Sequence, residues 1–389
     1  MSNHTRPLFT TLVAALVLGL QACASAQPAA AAKPPSHYWA YFGTYTGPDS
    51  KGIYRSDFDP ATGALSAPEL VGEAVNPSFL AVAPNHKWLY AIDEVNEFGG
   101  KKAGGLTGFT IGDDGKLASF TTESSVGVGP AHLAVDHAGK WLLVGNYGGG
   151  STALLPIDAE GKLGPAKSFI VHDAVKPQVS HAHCANFSAD GKFAFICDAG
   201  VDKVHQFKVD AEKGLVANKP DFVQIGEGKG TGPRHMVFSL DNKRAYVINE
   251  TNMTMTTLDY NAVTGTLTPI QTVSTLPEGQ KVQGSTAEVV LHPSGKFLFG
   301  SNRGFNSIVT FAVNAKDGKL TQTAQQRTGI KTPRNFNVDP TGRFLLVANQ
   351  DGDSIVVFSI DPATGALTPV GEPTKLSKPV CIVFMEPLK

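Results

Sequence analysis

Cysteine, methionine and tryptophan are scarce in this chain, with 4, 5 and 3 copies in 389 residues. Cys184, Cys197 and Cys381 form no C-x-x-C pair and no disulfide framework, so they read as small buried apolar residues. Cys184 and Cys197 can still face each other across a hairpin and oxidise in an oxidising compartment. An excess of either charge is also missing. Lys and Arg total 33 against 34 Asp and Glu, for a net charge of -1. That balance excludes the basic footprint of a nucleic-acid binder, and no nucleic-acid partner is expected. No glycine-rich nucleotide fingerprint and no G-x-S-x-G nucleophile elbow occur, which removes two large enzyme classes. Nor is the chain disordered, being 42% hydrophobic and only 17% charged. What it has in abundance is glycine (41) and proline (25), the punctuation of many turns and short strands.

The N-terminus stands apart. Arg6 precedes "LFTTLVAALVLGL", an apolar run of signal-peptide length and too short to span a bilayer. Leu20-Gln21-Ala22-Cys23 resembles a bacterial lipobox, although Gln21 is atypical of one. On this reading residues 1–22 are a lipoprotein-type signal peptide and Cys23 is the lipidated first residue. The competing reading is simple cleavage after Ala24-Ser25-Ala26. Residues 23–37 then form a Pro/Ala-rich tether. Either way the mature protein is expected outside the cytoplasm, periplasmic or anchored to the cell envelope, touching membrane only through the lipid.

The remainder, 38–389, repeats itself. "PSFLAVAPNHKWLYAIDE", "PAHLAVDHAGKWLLVGNY", "AHCANFSADGKFAFICDA", "PRHMVFSLDNKRAYVINE", "TAEVVLHPSGKFLFGSNR" and "PRNFNVDPTGRFLLVANQ" align without a gap on Lys87, Lys140, Lys192, Lys243, Lys296 and Arg343. The steps of 53, 52, 51, 53 and 47 residues, each unit carrying short strands and a G-x-L turn, indicate an all-β fold, a β-propeller. A seventh unit is split. "PVCIVF" at 379–384 matches only a first strand, and "DPATGAL" occurs at both 59–65 and 361–367. Seven blades closed by pairing N- and C-terminal strands follow, as one domain and a monomer.

Each repeat brings a hairpin tip to the same mouth of the central channel. One column of tip residues is uniform: Asp93, Asn146, Asp198, Asn249, Asn302 and Asn349. Sameness in every blade points to architecture, a short polar side chain bonding nearby backbone. The adjacent columns vary. Glu94, Tyr147, Ala199, Glu250, Arg303 and Gln350 are expected opposite Ser78, Ala131, His183, Arg234, Ala287 and Arg334. With the hairpin centred near Asn242, Arg234 should directly oppose Glu250, and His235 should oppose Asn249. A column that differs blade by blade fits an asymmetric pocket built from His183, Arg234, Glu250, Arg303 and Arg334, with Glu94, Tyr147 and Gln350 around them. The competing account is a rim of ion pairs, each worth about 0–1 kcal/mol. A metal site of His132, His235 and Glu288 is a further alternative. Structural hydrogen bonding is the preferred reading of those three, and neither metal nor cofactor is expected.

The phrases "FGTYT", "NYGGGS", "GPRH", "INE", "SNRG" and "DPATGAL", across 38–389, resemble the seven-bladed lactonase family, which includes propeller-type 6-phosphogluconolactonases and carboxy-muconate lactonizing enzymes. The resemblance implies a catalytic set of His183, Arg234, Glu250 and Arg303, with Arg334 competing for the last role. Arg334, Glu94, Tyr147, Gln350 and Tyr45 are then substrate contacts. The implied reaction opens a lactone. Glu250 or His183 would serve as general base, Arg234 would steady the oxyanion, and the arginine forks would hold an acid or phosphate. Export favours a non-phosphorylated sugar or aldonic lactone. Alternatives are a muconate-type cycloisomerase or a non-catalytic envelope propeller that binds a ligand or partner.

Overall fold

The computed structural model describes residues 1–2, 35, 37–174, 176–227 and 230–387. The leader and Cys23 lie outside the described residues, as does nearly all of the tether. From Tyr38 onward the chain builds seven four-stranded antiparallel sheets. Blade 5 shows the common pattern: an inner strand Pro233–Phe238, then Arg244–Asn249, Thr254–Asn261 and the outer strand Thr266–Ser274. These are the expected propeller blades.

The second strands explain why the fold needs a ring. In "AYVI" of blade 5, Ala245 and Val247 pack toward blade 4 with Phe195, Cys197 and Met236. Tyr246 and Ile248 point the other way, to Val289, Leu298 and Phe311 of blade 6. Successive strand residues face opposite sides, so a strand apolar on both faces must be covered twice. The main apolar clusters accordingly fall between blades: Leu142, Val144 and Tyr90 join blades 2 and 3, and Phe299, Val347 and Phe358 join blades 6 and 7.

Turns lock these contacts. Tyr41, Tyr90 and Tyr246 donate their hydroxyls to the carbonyls of Gly115, Gly161 and Gly318, each in the G-x-L turn of the following blade, at 2.8, 2.6 and 3.2 Å. In the same turn of blade 5, Gly265 adopts φ 67°, and a Cβ there would stand 2.0 Å from the Phe193 ring. Only glycine meets both demands.

The ends close the ring as expected. Pro379–Met385 pairs antiparallel with Tyr38–Thr44, in a register from Trp39↔Met385 to Thr44↔Pro379. This strand places Ile382 in the cluster between blades 7 and 1, and Cys381 and Met385 in that between blades 1 and 2. Deleting residues 379–389 should therefore cost several times the ~1.5–3 kcal/mol of one buried aliphatic side chain. The truncated protein is expected to melt far below the full chain in a calorimetric scan. Equal melting temperatures would show that closure contributes nothing.

Candidate functional site

The inner strands do not pair evenly. In blade 5 the register runs Pro233↔Asn249, then His235↔Ile248, leaving Arg234 as an extra residue. The same shift skips Ala131 in blade 3, His183 in blade 4 and Arg334 in blade 7, and in blade 6 it falls between Thr286 and Val289. These are β-bulges, which bend a strand and re-aim the extra side chain. The re-aimed residues meet. Ala131, His183, Arg234, Arg334 and Val380, together with Ser78, line one small cavity of about 10 Å³, which Phe79, His235 and Asn335 also line.

The expected opposition of Arg234 to Glu250 and of His235 to Asn249 is thus corrected. Asn249 faces Pro233, and Glu250 lies just past the strand end at Asn249. Arg234 and Glu250 still meet, with Nε 3.5 Å from Oε2. That contact lacks hydrogen-bond geometry, and the buried Nε is left without an acceptor. Glu250 is instead gripped by Arg303, whose Nη2 donates both to its Oε1 and, at 2.8 Å, to the Thr286 carbonyl. Arg234 Nη1 donates to the Ala287 carbonyl at 2.7 Å.

Burial and charge set the protonation states. Arg234 is 2% exposed, and burial together with Arg303 brings its pKa to about 9, leaving it cationic at neutral pH. Burial opposes ionisation of Glu250, but Arg234 and Arg303 outweigh it and hold the carboxyl below its usual value. His183 lies well below 6.5 because it is buried and faces Arg234, so its imidazole is neutral. Its Nδ1 is buried and unpartnered, as is Arg303 Nε. Unpaired buried polar atoms, one on the cavity-lining His183 and one on the arginine that grips Glu250, are uncommon in a core and suit a bound polar ligand.

The outer residues form the wall. Arg334 stands over the Tyr45 ring with Cζ 5.4 Å from its centroid. The Tyr45 hydroxyl donates to Glu94 at 3.0 Å, and Ser78 donates to the same carboxylate. Tyr147, 39% exposed, stacks on His181 at 4.4 Å and meets the His183 ring edgewise at 5.5 Å. Gln350 Nε2 donates to Asp351 at 3.2 Å, while its Oε1 is buried without a hydrogen-bond partner. His181 and the closing-strand residue Val380 were not in the expected site. Extending the variable column to the split seventh unit would have found Val380.

The residues of the alternative metal set lie near one another, with the His132 and His235 rings 5.2 Å apart, but are engaged in contacts with protein. His235 Nδ1 and Glu288 Oε1 are hydrogen-bonded to each other at 2.8 Å, His235 Nε2 faces Arg234, and His132 stacks against Phe79 with ring centroids 3.9 Å apart. Among the described residues no group of three or more His, Cys, Asp or Glu is arranged to hold a metal ion. Cys184 and Cys197 are direct cross-strand partners, buried as free thiols.

The uniform column is buried and turned into the blade walls. Asn146 donates to the Ser125 carbonyl, Asn302 to that of Thr275 and Asn349 to that of Gly329. Asn249 Nδ2 donates to Thr254 and Thr256 at 2.8 and 2.9 Å. Asn249→Ala should cost ~1–3 kcal/mol of stability, because it removes two side-chain hydrogen bonds from a buried position. Turnover is expected to change only a few-fold. A lost kcat at an unaltered melting temperature would move this column into the chemistry.

A family model described as "Lactonase, 7-bladed beta-propeller" matches residues 39–384. The 6-phosphogluconolactonase of Bacillus subtilis is 31% identical over 309 residues, spanning 78% of this chain and 85% of that protein. That of Formosa agariphila is 34% identical over 298 residues, spanning 74% and 82%. Among solved structures, the periplasmic gluconolactonase of Pseudomonas aeruginosa has a TM-score of 0.85 at 32% identity, covering 91% of this chain and all (100%) of that one. A putative 6-phosphogluconolactonase from Bacteroides fragilis has a TM-score of 0.83 at 34% identity, with coverage of 91% and 100%. On that match and those identities, this chain belongs to the seven-bladed β-propeller lactonase family.

Proposed function

We propose that this protein hydrolyses a sugar or aldonic lactone at the bulge-lined cavity. The observation that carries the reading is the convergence of Glu250, Arg234, Arg303, Arg334 and His183 on one mouth, with guanidinium and imidazole nitrogens left unpaired. Family membership supplies the reaction class.

The steps follow from the protonation states. His183, neutral, orients a water through its free ring nitrogen. Glu250, kept ionised by two arginines, takes a proton from that water as its oxygen bonds to the lactone carbonyl carbon. The tetrahedral oxyanion develops beside Arg234, whose unpaired Nε–H meets charge that the ground state lacks. Collapse breaks the ring C–O bond, and the proton on Glu250 passes to the departing oxygen, leaving the open hydroxy acid. Arg303 is occupied by Glu250, so Arg334, held over Tyr45, is the fork that grips the polar end of the substrate. Tyr147 and Glu94 bound the pocket.

Glu250→Gln should reduce kcat by about 10²–10⁴-fold with KM and melting temperature nearly unchanged, since the amide fits but cannot accept the proton. Arg234→Lys, which loses the fork, should also be impaired. The check is ring-opening followed by NMR over a panel of sugar, aldonic and phosphorylated lactones. A Glu250→Gln protein that melts early yet keeps full kcat would reduce the pair to a structural ion pair.

The same proposal places the protein in the cell envelope, through the leader 1–22 and Cys23 ahead of the tether. It is supported by the lipobox-like sequence and by the periplasmic relative. Palmitate labelling should tag the wild type and not Cys23→Ser. A mature N-terminus at Gln27 would replace the anchor with simple cleavage, and an intact Met1 on the mature protein would remove both.

A further inference from the structure

We propose that Glu288, acting through His235, is the positioning residue for the Arg234 guanidinium, an inference that rests on the assignment of Arg234 to the lactonase site. Of its links, Arg234, His235 and Asn335 line the cavity, and Glu288 does not.

The polarity of the chain is forced from both ends. Arg234 Nη1 can only donate, so His235 Nε2, 3.2 Å away, accepts. The other ring nitrogen, Nδ1, then carries the proton and donates to Glu288 Oε1 at 2.8 Å. At the far end the backbone N–H of Ile382, in the closing strand, donates to Asn335 Oδ1 at 2.8 Å. That orients the amide so that Asn335 Nδ2 donates to Glu288 Oε2. The Val289 N–H adds a third donor, 3.0 Å from Glu288 Oε1. Every donor therefore points at one buried carboxylate, and one tautomer of His235 satisfies the set. His235 lies well below 6.5 because of burial and Arg234, so its contact with Glu288 is a hydrogen bond between neutral imidazole and carboxylate.

Holding Arg234 this way matters because its remaining contact to protein on Nη1 is a single carbonyl, that of Ala287. A guanidinium anchored only there could swing about that bond. The imidazole supplies a second point and fixes the plane in which Nε stands 3.5 Å from Glu250 Oε2.

Glu288 also makes the anchorage sensitive to pH. Burial pushes it up to about 7, against the pull of Arg234. The groups that face it are Arg234 and His235 from blade 5, His132 from blade 3, Asn335 from blade 7 and Cys381 from the closing strand. Above its pKa the carboxylate accepts from all its donors. As pH falls through about 7 it gains an O–H where donors already point, one of them must turn away, and Arg234 loosens. Glu250 titrates below its usual value, so an acid limb near neutrality belongs to Glu288.

The test compares wild type with Glu288→Gln, Glu288→Asp and His235→Gln. Glu288→Gln should lower kcat about 10- to 100-fold, the scale of misplaced catalytic groups, with little change in KM. It should also flatten the acid limb, and Glu288→Asp should restore part of both. Wild-type kcat with an intact limb in Glu288→Gln overturns the proposal. Should that variant not fold, His235→Gln is read by the same criteria. A wild type that opens no lactone refutes the activity and leaves this positioning to ¹⁵N NMR of His235. There, Nδ1–H in the wild type shifting to the other tautomer in Glu288→Gln supports the relay, and an unchanged tautomer overturns it.

Discussion

No blade of this protein has a core of its own. Each sheet buries its two apolar faces against its neighbours, so the seven sheets must form a closed ring or leave a face in water. Closure falls to one strand, Pro379–Met385, which contributes side chains to the clusters on both sides of the first blade. The rest of the molecule depends on that constraint. A rigid ring holds the inner strands at fixed separations around the channel, and small irregularities in those strands then meet at one place.

The irregularity is the bulge. An evenly paired inner strand would send the side chain of residue 234 into a blade wall; the extra residue turns it into the channel instead. Repeated around the ring, the same device delivers alanine, histidine, arginine and valine to a common cavity. One scaffold thus presents a different side chain from each blade without altering the packing beneath it. The closing strand takes part twice, through Val380 in the cavity and through the Ile382 N–H bonded to Asn335.

Charge balance follows from burial. Three arginines gather where water is scarce, and unpaired cations there would be costly. Glu250 lies between Arg234 and Arg303, and Glu288 lies beneath Arg234, so two carboxylates offset much of that charge. The same arginines and the burial keep His183 and His235 neutral. A site with excess positive charge, a fixed carboxylate and neutral imidazoles is suited to chemistry in which negative charge develops on oxygen.

Much of this was legible in the sequence because the chain carries its own control. Six copies of one hairpin separated a uniform Asn/Asp column, now seen bonded into the blade walls, from variable columns that hold His183, Arg234, Glu250, Arg303 and Arg334. The repeat period and the split seventh unit determined the blade number and the closing strand. Periodicity, however, assumes even pairing, and a bulge is invisible to it: one extra residue shifts the register without changing the apolar pattern. Only the tertiary structure decided that Glu250 is hydrogen-bonded by Arg303 as well as lying beside Arg234, and that His235 bonds Glu288 instead of facing Asn249. Those partners lie 53 residues apart in neighbouring blades, and what joins them is the spacing of the closed ring, set by packing between sheets and not by any local preference of the chain.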